Sequence, residues 1–363
     1  MSEDYKNISR VEEEEVGYVM KKPFNPNKIK IRPQTITVDA MVERIRHGEI
    51  DLSTKFQRKE GLWTDEQQSR LIESILIRFP LPVFYFDGSN NDKWLVIDGL
   101  QRLTSLKRFM VTKELKLTGL EYLPLNEKGW DDLDRPNQRQ INETQLQCYI
   151  LEEGEDNVKF NIFKRINTGG LTLSSQEIRH AMHQDVSEFL KDLAGSQEFI
   201  LATGEKISTE RMQDRDFVNR FLAFYLLDYA TDYLKEDDLD IFMNRALSLL
   251  AKKPDMVKQK ISMDFKNAMK LAHEIFANKA FSKQPKPNRI NKALFEVVST
   301  HFAKLDEDKR NILKSRKDVF KEVLYRAIEE KFKDSLSSGT GGQSNVVLRH
   351  KEFNNVLIEV LNR

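Results

Sequence analysis

The segment from Trp94 to Phe109 constrains the fold more than any other part of the chain. A strand-like apolar run, Trp94–Ile97, ends at Asp98 and Gly99, and a helical apolar pattern begins at once. A glycine turn between a strand and a helix directs the free N–H groups of the first helical turn towards one point. Arg102 adds a guanidinium that suits phosphate. The segment predicts either an anion site for a phosphate ester or a plain turn with Arg102 in solvent.

Further strands and helices surround this segment in the sequence. A capping box at Thr64–Gln67 opens a helix whose apolar face runs from Leu71 to Phe79 and which Pro80 ends. Strand-like runs follow at Val83–Phe86 and Gln145–Leu151. This alternation predicts a small mixed α/β unit with short strands.

The other parts of the chain set the predicted domain boundaries. Residues 121–143 predict a loop, and residues 335–344 a flexible Ser/Gly stretch. Beyond about residue 185 the apolar spacing is helical almost throughout. The fold class is therefore α+β. The predicted domains are a flexible arm at 1–30, a small mixed-sheet domain at 31–184 and an all-helical domain at 185–363.

The charge balance and the single cysteine argue against several classes of protein. The 58 basic and 57 acidic residues give a net charge of +1, so nucleic acid would have to bind at a local basic patch. Cys148 alone forms neither an internal disulfide nor a Cys-based zinc cluster, and it predicts a small core residue in a reducing cytoplasm. No apolar run approaches membrane-spanning length. We therefore expect a cytoplasmic protein with no membrane partner.

Several polar segments together resemble a known superfamily. They are Gln57-Arg58, Ile97-Asp98-Gly99-x-Gln101-Arg102-Leu103-Thr104, Phe163-x-Arg165-Ile-Asn167-x-Gly169-Gly170 and Gln176-Glu177-Ile178-Arg179. Their order and spacing are similar to those of the ParB/sulfiredoxin-like superfamily, and within it to the GmrS-type domain, also called domain of unknown function 262. That domain forms the N-terminal part of GmrSD-like restriction and phage-defence proteins. The resemblance covers roughly residues 30–230 well and the helical remainder more loosely.

The resemblance implies a nucleotide-binding, often nucleotide-hydrolysing, ParB-like domain at 31–184, with a nucleoside triphosphate and Mg²⁺ as cofactors. On this analogy Gly99, Gln101, Arg102 and Thr104 would hold phosphates. Asp98, Gln101 and Arg102 would carry any hydrolysis, and Asp98 would orient Arg102, hold a metal through water or position an attacking water. The resemblance adds further phosphate-binding residues: Gln57, Arg58, Arg165, Asn167, Gly169, Gly170 and Arg179.

The sequence departs from the family pattern in two places. Leu100 replaces the middle glutamine of Asp-Gly-Gln-Gln-Arg, and a leucine cannot hydrogen-bond to phosphate or water, unless this position simply faces the core. Hydrolysis is therefore less strongly implied than binding. The six scattered histidines offer no His-Asn-His nuclease domain, and no protein metal site is predicted.

Three functions are compatible with these patterns. The first is a module of a bacterial anti-phage or restriction system that binds a nucleoside triphosphate and so switches a DNA-acting assembly. One form of this hypothesis adds hydrolysis of the triphosphate. The second is a DNA-binding recognition protein with a non-catalytic pocket, and the third, the weakest, is a metal-dependent nuclease. The expected partners are a nucleotide, DNA or a DNA-acting protein, and in one alternative a second copy of the chain.

Some of the polar residues also have a purely structural interpretation. Glu177 occupies the capping-box position of Ser174, and Arg179 could pair with a carboxylate of the α/β unit instead of a phosphate. Trp63 and Trp94 would pack the small core. The lysines at 252–260 could be a solvated helix end or a contact for DNA phosphates.

Overall fold

The computed structural model describes residues 11–12, 29–52, 63–90, 92–154, 156–166, 173–236, 238–283 and 289–363. The chain divides into two compact units. The α/β unit comprises residues 24–173, and the helical unit comprises residues 174–363 together with residues 1–23. The predicted arm at 1–30 lies almost entirely outside the described residues, and the predicted domain boundaries stay a prediction.

A mixed five-stranded sheet forms the centre of the α/β unit. Its strands are β1 (Lys30–Thr37), β2 (Ile50–Asp51), β3 (Phe84–Asp87), β4 (Trp94–Asp98) and β5 (Gln145–Glu153). The strand order is β1-β5-β3-β4-β2. The β1/β5 and β3/β4 pairs are antiparallel, and the β3/β5 and β2/β4 pairs are parallel. This sheet confirms the mixed α+β character of the unit.

Five α-helices accompany the sheet in the described part of this unit. They are α1 (Val38–Arg46), α2 (Asp65–Leu76), α3 (Leu100–Leu106), α4 (Arg135–Glu143) and α5 (Asp156–Ile166). Apolar residues of α1 to α4 form one core with alternate residues of the strands, such as Phe84, Phe86 and Cys148. Cys148 is 3% exposed, which confirms its predicted core position. Trp63 and Trp94 also contact this core, as predicted.

Two local predictions for this unit need correction, and one strand was not predicted. Residues 121–143 are not all loop, because Asp134 caps α4 and Pro136 lies in its first turn, where a missing N–H costs nothing. Helix α2 ends at Leu76, so Phe79 is off its apolar face and 57% exposed. Strand β1 was not predicted, since its outer residues are exposed and carry no clear alternation.

The helical unit contains no strand in its described part apart from an isolated bridge between Val11 and Ile290. Its first helices are α6 (Ser175–Met182), α7 (Ser187–Ala194), α8 (Gln197–Thr203), α9 (Gln213–Leu226), α10 (Asp232–Glu236) and α11 (Leu239–Ala251). The remaining ones are α12 (Asp255–Phe276), α13 (Lys292–Ala303), α14 (Glu307–Ser315), α15 (Lys317–Ala327) and α16 (Gln343–Asn362). The prediction of a helical remainder is confirmed for these residues.

The Ser/Gly stretch at 335–344 is not a free linker. Ser335 and Thr340 are buried, and the carbonyls of both accept hydrogen bonds from the buried Arg349 guanidinium. The Ser/Gly composition by itself suggests flexibility. The guanidinium that fixes the stretch belongs to another element, α16, so the local sequence does not show this contact.

Candidate functional site

The turn between β4 and α3 has a backbone that only glycine adopts easily. Gly99 has a φ of 105°, in the left-handed region. A Cβ atom at this position would also lie 2.4 Å from Cδ1 of Phe84. The glycine therefore permits both the turn and the close approach of the Phe84 ring.

The first turn of α3 leaves backbone donors available. The first intrahelical bond runs from the N–H of Leu103 to the carbonyl of Gly99, 2.9 Å apart. The N–H groups of Leu100, Gln101 and Arg102 precede this bond and have no intrahelical acceptor. The N-cap, Gly99, has no side chain with which to cap them. Within the part of the chain that the structure describes, this turn has the donor geometry of an anion site.

Arg102 points into the α/β unit. It is 7% exposed and donates to the carbonyls of Pro82 and Val83 and to Asp98. Its guanidinium lies 4.1 Å from the centre of the Phe84 ring, within cation–π distance. Burial lowers the pKa of Arg102, and Asp98 opposes that shift. Arg102 thus joins the end of β4 to the residues before β3, and a direct phosphate contact stays a prediction.

Asp98 is the charged group of this turn that reaches solvent. Its side chain is 34% exposed, and its Oδ2 atom accepts from Nη2 of Arg102 at 3.0 Å. This bond fixes the orientation of the carboxylate and offsets its negative charge. The structure therefore brings Asp98, Gly99 and Arg102 together in one turn.

Gln101 and Thr104 lie on one face of α3, three residues apart. The Gln101 side-chain carbonyl accepts from the backbone N–H of Trp63 at 3.3 Å. The Thr104 hydroxyl is buried and has no hydrogen-bond partner among the residues that the structure describes. An unpaired buried hydroxyl is costly, and it marks a position that a ligand or an ordered water would satisfy.

The other predicted phosphate ligands are only partly placed. Gln57, Arg58, Asn167, Gly169 and Gly170 lie outside the described residues. Arg165 is exposed in the last turn of α5, a helix that contacts β4. Leu100 is half-buried at the start of α3.

Arg179 belongs to the helical unit rather than the α/β unit. It is 1% exposed and forms ion pairs with Asp216, at 3.4 Å, and with Asp240. Both carboxylates belong to the helical unit, so they are not the partners in the α/β unit that the sequence suggested. Glu177 forms the predicted capping box with Ser174.

Sequence reasoning missed two contributors to this site. Phe84 supports the Arg102 guanidinium and excludes a side chain at residue 99, and the backbone of Trp63 holds Gln101. The strand pattern at 83–86 indicates an inward-facing residue at position 84 but cannot show which side chain lies against it.

The fold and this turn define an α+β protein with an Asp-Gly-x-Gln-Arg strand–helix turn and a helical unit after it. Residues 40–184, less than half of the chain, match the family model described as "GmrSD restriction endonuclease, N-terminal domain". This match confirms the resemblance to the GmrS-type domain over these residues. No curated protein matches the chain. None of the described helices is both long and apolar enough to cross a membrane.

Proposed function

We propose that the α/β unit binds a nucleoside triphosphate at the turn between β4 and α3. In this proposal the protein is the nucleotide-responsive module of a restriction or anti-phage system and switches a DNA-acting assembly. The match of residues 40–184 to the GmrSD N-terminal domain supports the assignment to a restriction or anti-phage system. The uncapped first turn of α3 beside Asp98 is the observation that carries the proposal.

The phosphate contacts in this proposal are mainly backbone contacts. The free N–H groups of Leu100, Gln101 and Arg102 would donate to phosphate oxygens, and the helix dipole favours negative charge there. Gly99 allows the left-handed turn that begins α3 and the close approach of the Phe84 ring, which a Cβ atom would block. The Thr104 hydroxyl, which lacks a partner in the structure, would add a donor.

Asp98 would hold Mg²⁺ together with the phosphates. Magnesium prefers hard oxygen ligands and is often bound by one or two carboxylates plus substrate phosphates. The partly exposed Asp98 carboxylate fits this role, and the described residues contain no cluster of three metal-binding side chains. Mg²⁺ would neutralise phosphate charge, while Arg102 keeps the carboxylate oriented.

Hydrolysis needs a group that orients water, and this turn offers two. Asp98 is partly exposed, and Gln101 has its carbonyl fixed by Trp63, which leaves its amide NH₂ as a donor. Leu100 supplies no such group. We therefore propose binding as the primary property, with phosphate release measured separately.

The test is calorimetric titration of the full chain with ATP, GTP, CTP and UTP in the presence of Mg²⁺. Thr104→Val removes the unpartnered hydroxyl, so we expect a free energy of unfolding equal to or higher than that of the wild type, and roughly 5-fold weaker binding, about one hydrogen bond. Asp98→Asn keeps an acceptor for Arg102 but removes the charge, so we expect the Mg²⁺-dependent part of the affinity to disappear.

Two variants serve as matched controls in the same unit. Thr112→Val changes an exposed threonine, and Asp92→Asn changes an exposed acid in the turn before β4. Both should bind triphosphate like the wild type. If no triphosphate binds to the wild type, or if Thr104→Val and Asp98→Asn bind as tightly as their controls, the proposed nucleotide site is wrong, and direct DNA recognition becomes the better hypothesis.

A further inference from the structure

The helical unit contains an open cleft of about 660 Å³ that the proposed function does not use. It lies among the end of α9, the outer side of α12, the end of α13 and the start of α14. Its polar lining consists of three cations, two carboxylates, a tyrosine and an amide: Lys260, Lys304, Arg310, Asp264, Asp306, Tyr225 and Asn267. A volume of this size is typical of small-molecule sites.

Both carboxylates of the cleft already have partners. Asp264 accepts from the Tyr225 hydroxyl at 2.6 Å and forms an ion pair with Lys260. Burial and the nearby carboxylate raise the pKa of Tyr225 to about 12, so its hydroxyl remains a donor. Asp306 caps α14 through the N–H of Lys309 at 2.8 Å and forms an ion pair with the ammonium of the same lysine at 2.8 Å.

Two cations of the cleft form no ion pair with a described carboxylate. The Lys304 side chain stays accessible to solvent, and its ammonium forms no ion pair with any described residue. Desolvation lowers the pKa of Lys304, and the charge of Asp228 opposes that shift. Arg310 donates from Nη1 to the carbonyl of Leu305 at 2.7 Å and likewise forms no ion pair within the described chain. Arg310 therefore keeps further N–H donors, and a guanidinium presents them in a planar fork that fits phosphate oxygens.

The cleft also has an apolar wall. Met263, Ala303 and Leu305 line it together with the ring of Tyr225. A cleft with uncommitted cationic donors, committed acids and an apolar wall is complementary to an anion attached to a less polar body. Lys270, three residues after Asn267 on α12, is exposed and adds a further cation near the cleft.

We propose that this cleft is a second phosphate-binding site, in which Lys304 and Arg310 hold a phosphoryl group. The phosphate could be that of a free nucleotide or that of a nucleic-acid backbone, and the chemistry of recognition is the same. The site shares no residue with the turn between β4 and α3. The evidence for it is therefore independent of the evidence for the proposed triphosphate site.

The test uses the full chain with three probes: inorganic phosphate, AMP and a 12-base-pair DNA duplex. We expect at least one probe to bind with a dissociation constant of about 1 mM or tighter, a free energy of about −4 kcal/mol. Lys304→Ala combined with Arg310→Ala should weaken this binding about 10-fold or more. Asp92→Asn, a change of an exposed acid in the α/β unit outside the proposed triphosphate site, should leave it unchanged.

A matched control and a change of salt complete the experiment. Lys351→Ala removes an exposed lysine of α16 and should bind like the wild type. Binding of AMP identifies a nucleotide, whereas binding of only the duplex, weakening steeply as salt rises, identifies a nucleic-acid backbone. The proposal is overturned if none of the probes binds, or if the double variant binds as tightly as Lys351→Ala.

Discussion

The position of Arg102 in the turn agrees with the sequence prediction, but its hydrogen bonds show a structural role that the sequence did not indicate. Its type and spacing indicate phosphate chemistry, but its guanidinium is buried and bonds to two backbone carbonyls and to Asp98. A residue so committed acts on the site through Asp98. Thr104 is the reverse case, because its hydroxyl is buried with no partner.

We expect Arg102→Ala to destabilise the α/β unit by about 3 kcal/mol. The change leaves the carbonyls of Pro82 and Val83 and the carboxylate of Asp98 without their donor, beside a new void at Phe84. Urea unfolding followed by tryptophan fluorescence measures this loss, since all three tryptophans, Trp63, Trp94 and Trp130, belong to this unit.

The control for this prediction is Arg139→Ala, which removes an exposed arginine of α4 with no ion pair in the described residues. Its effect should stay within about 0.5 kcal/mol. Equal effects of the two changes would mean that Arg102 does not anchor the turn. A loss of nucleotide binding in Arg102→Ala is not informative by itself, because the fold changes too.

At the scale of elements, α2 organises the segment that follows α3. Glu73 of α2 is 3% exposed, and its carboxylate accepts three backbone bonds of 2.8 to 3.0 Å, from the N–H groups of Glu121, Tyr122 and Leu123. Burial would raise the pKa of Glu73, but these three bonds and Arg70 lower it overall. The helix thus fixes a segment whose composition suggests a loop.

We expect Glu73→Gln to reduce the free energy of unfolding by about 2 kcal/mol, because an amide accepts at only one of its two polar atoms. In the wild type the stabilisation is complete above the ordinary glutamate pKa of 4.5 and is lost as the pH falls through the lowered pKa of the folded state. Urea unfolding at pH 7 and at pH 3 measures both effects.

The matched control is Glu127→Gln, a change of an exposed acid in the same segment. The difference in stability between wild type and Glu73→Gln should shrink at pH 3. A difference of the same size at both pH values would show that the charge of Glu73 contributes nothing.

At the scale of the whole molecule, the helical unit is built around a buried charged network. The Glu296 carboxylate of α13 accepts from Arg220 of α9 at 2.8 Å, and from Arg349 and His350 of α16 at 2.8 and 3.0 Å. Burial alone would raise the pKa of Glu296, but Arg349 and Arg220 lower it to about 2. Three helices distant in sequence meet at one carboxylate.

The two histidines of this network predict acid sensitivity. His350 donates from Nε2 to Glu296, so its Nδ1 atom accepts from Nε2 of His301, 3.2 Å away. Burial lowers the pKa of His301 well below 6.5. Burial also lowers the pKa of His350. Glu296 opposes this shift of the His350 pKa, and the charges of Arg349 and Lys304 add to it. Their stabilisation is complete above pH 6.5 and is lost as the pH falls below it.

We therefore expect the melting temperature of the helical unit to fall between pH 7.5 and pH 5.5, by about 2–4 °C for each kcal/mol lost. Circular dichroism at 222 nm measures this. His301→Gln keeps a donor for His350 but removes one titrating group, so its melting temperature should depend less on pH. A wild-type melting temperature that is constant over this range would contradict the prediction.

The sequence by itself determined the features that depend on neighbours in the chain. These include the capping boxes at Thr64 and Ser174, the glycine turn after Asp98 and the helical character of the second half. Each follows from residues within a few positions of one another, through dihedral preferences, local hydrogen bonds and apolar spacing. The polar segments at 57–58, 97–104, 163–170 and 176–179 together indicated the resemblance to the GmrS-type domain, which the match at 40–184 confirms over these residues.

Only the tertiary structure decided where the charged side chains point. Arg102 turns inward because two carbonyls some 20 residues earlier need donors, and Arg179 pairs with Asp216 and Asp240, 37 and 61 residues away. Ser335–Thr340 is fixed by Arg349, and the cleft at Lys304 exists because four helices end or cross there. A buried charge takes whichever partner the packed chain brings within about 3 Å, and that partner is set by long-range packing rather than by local pattern.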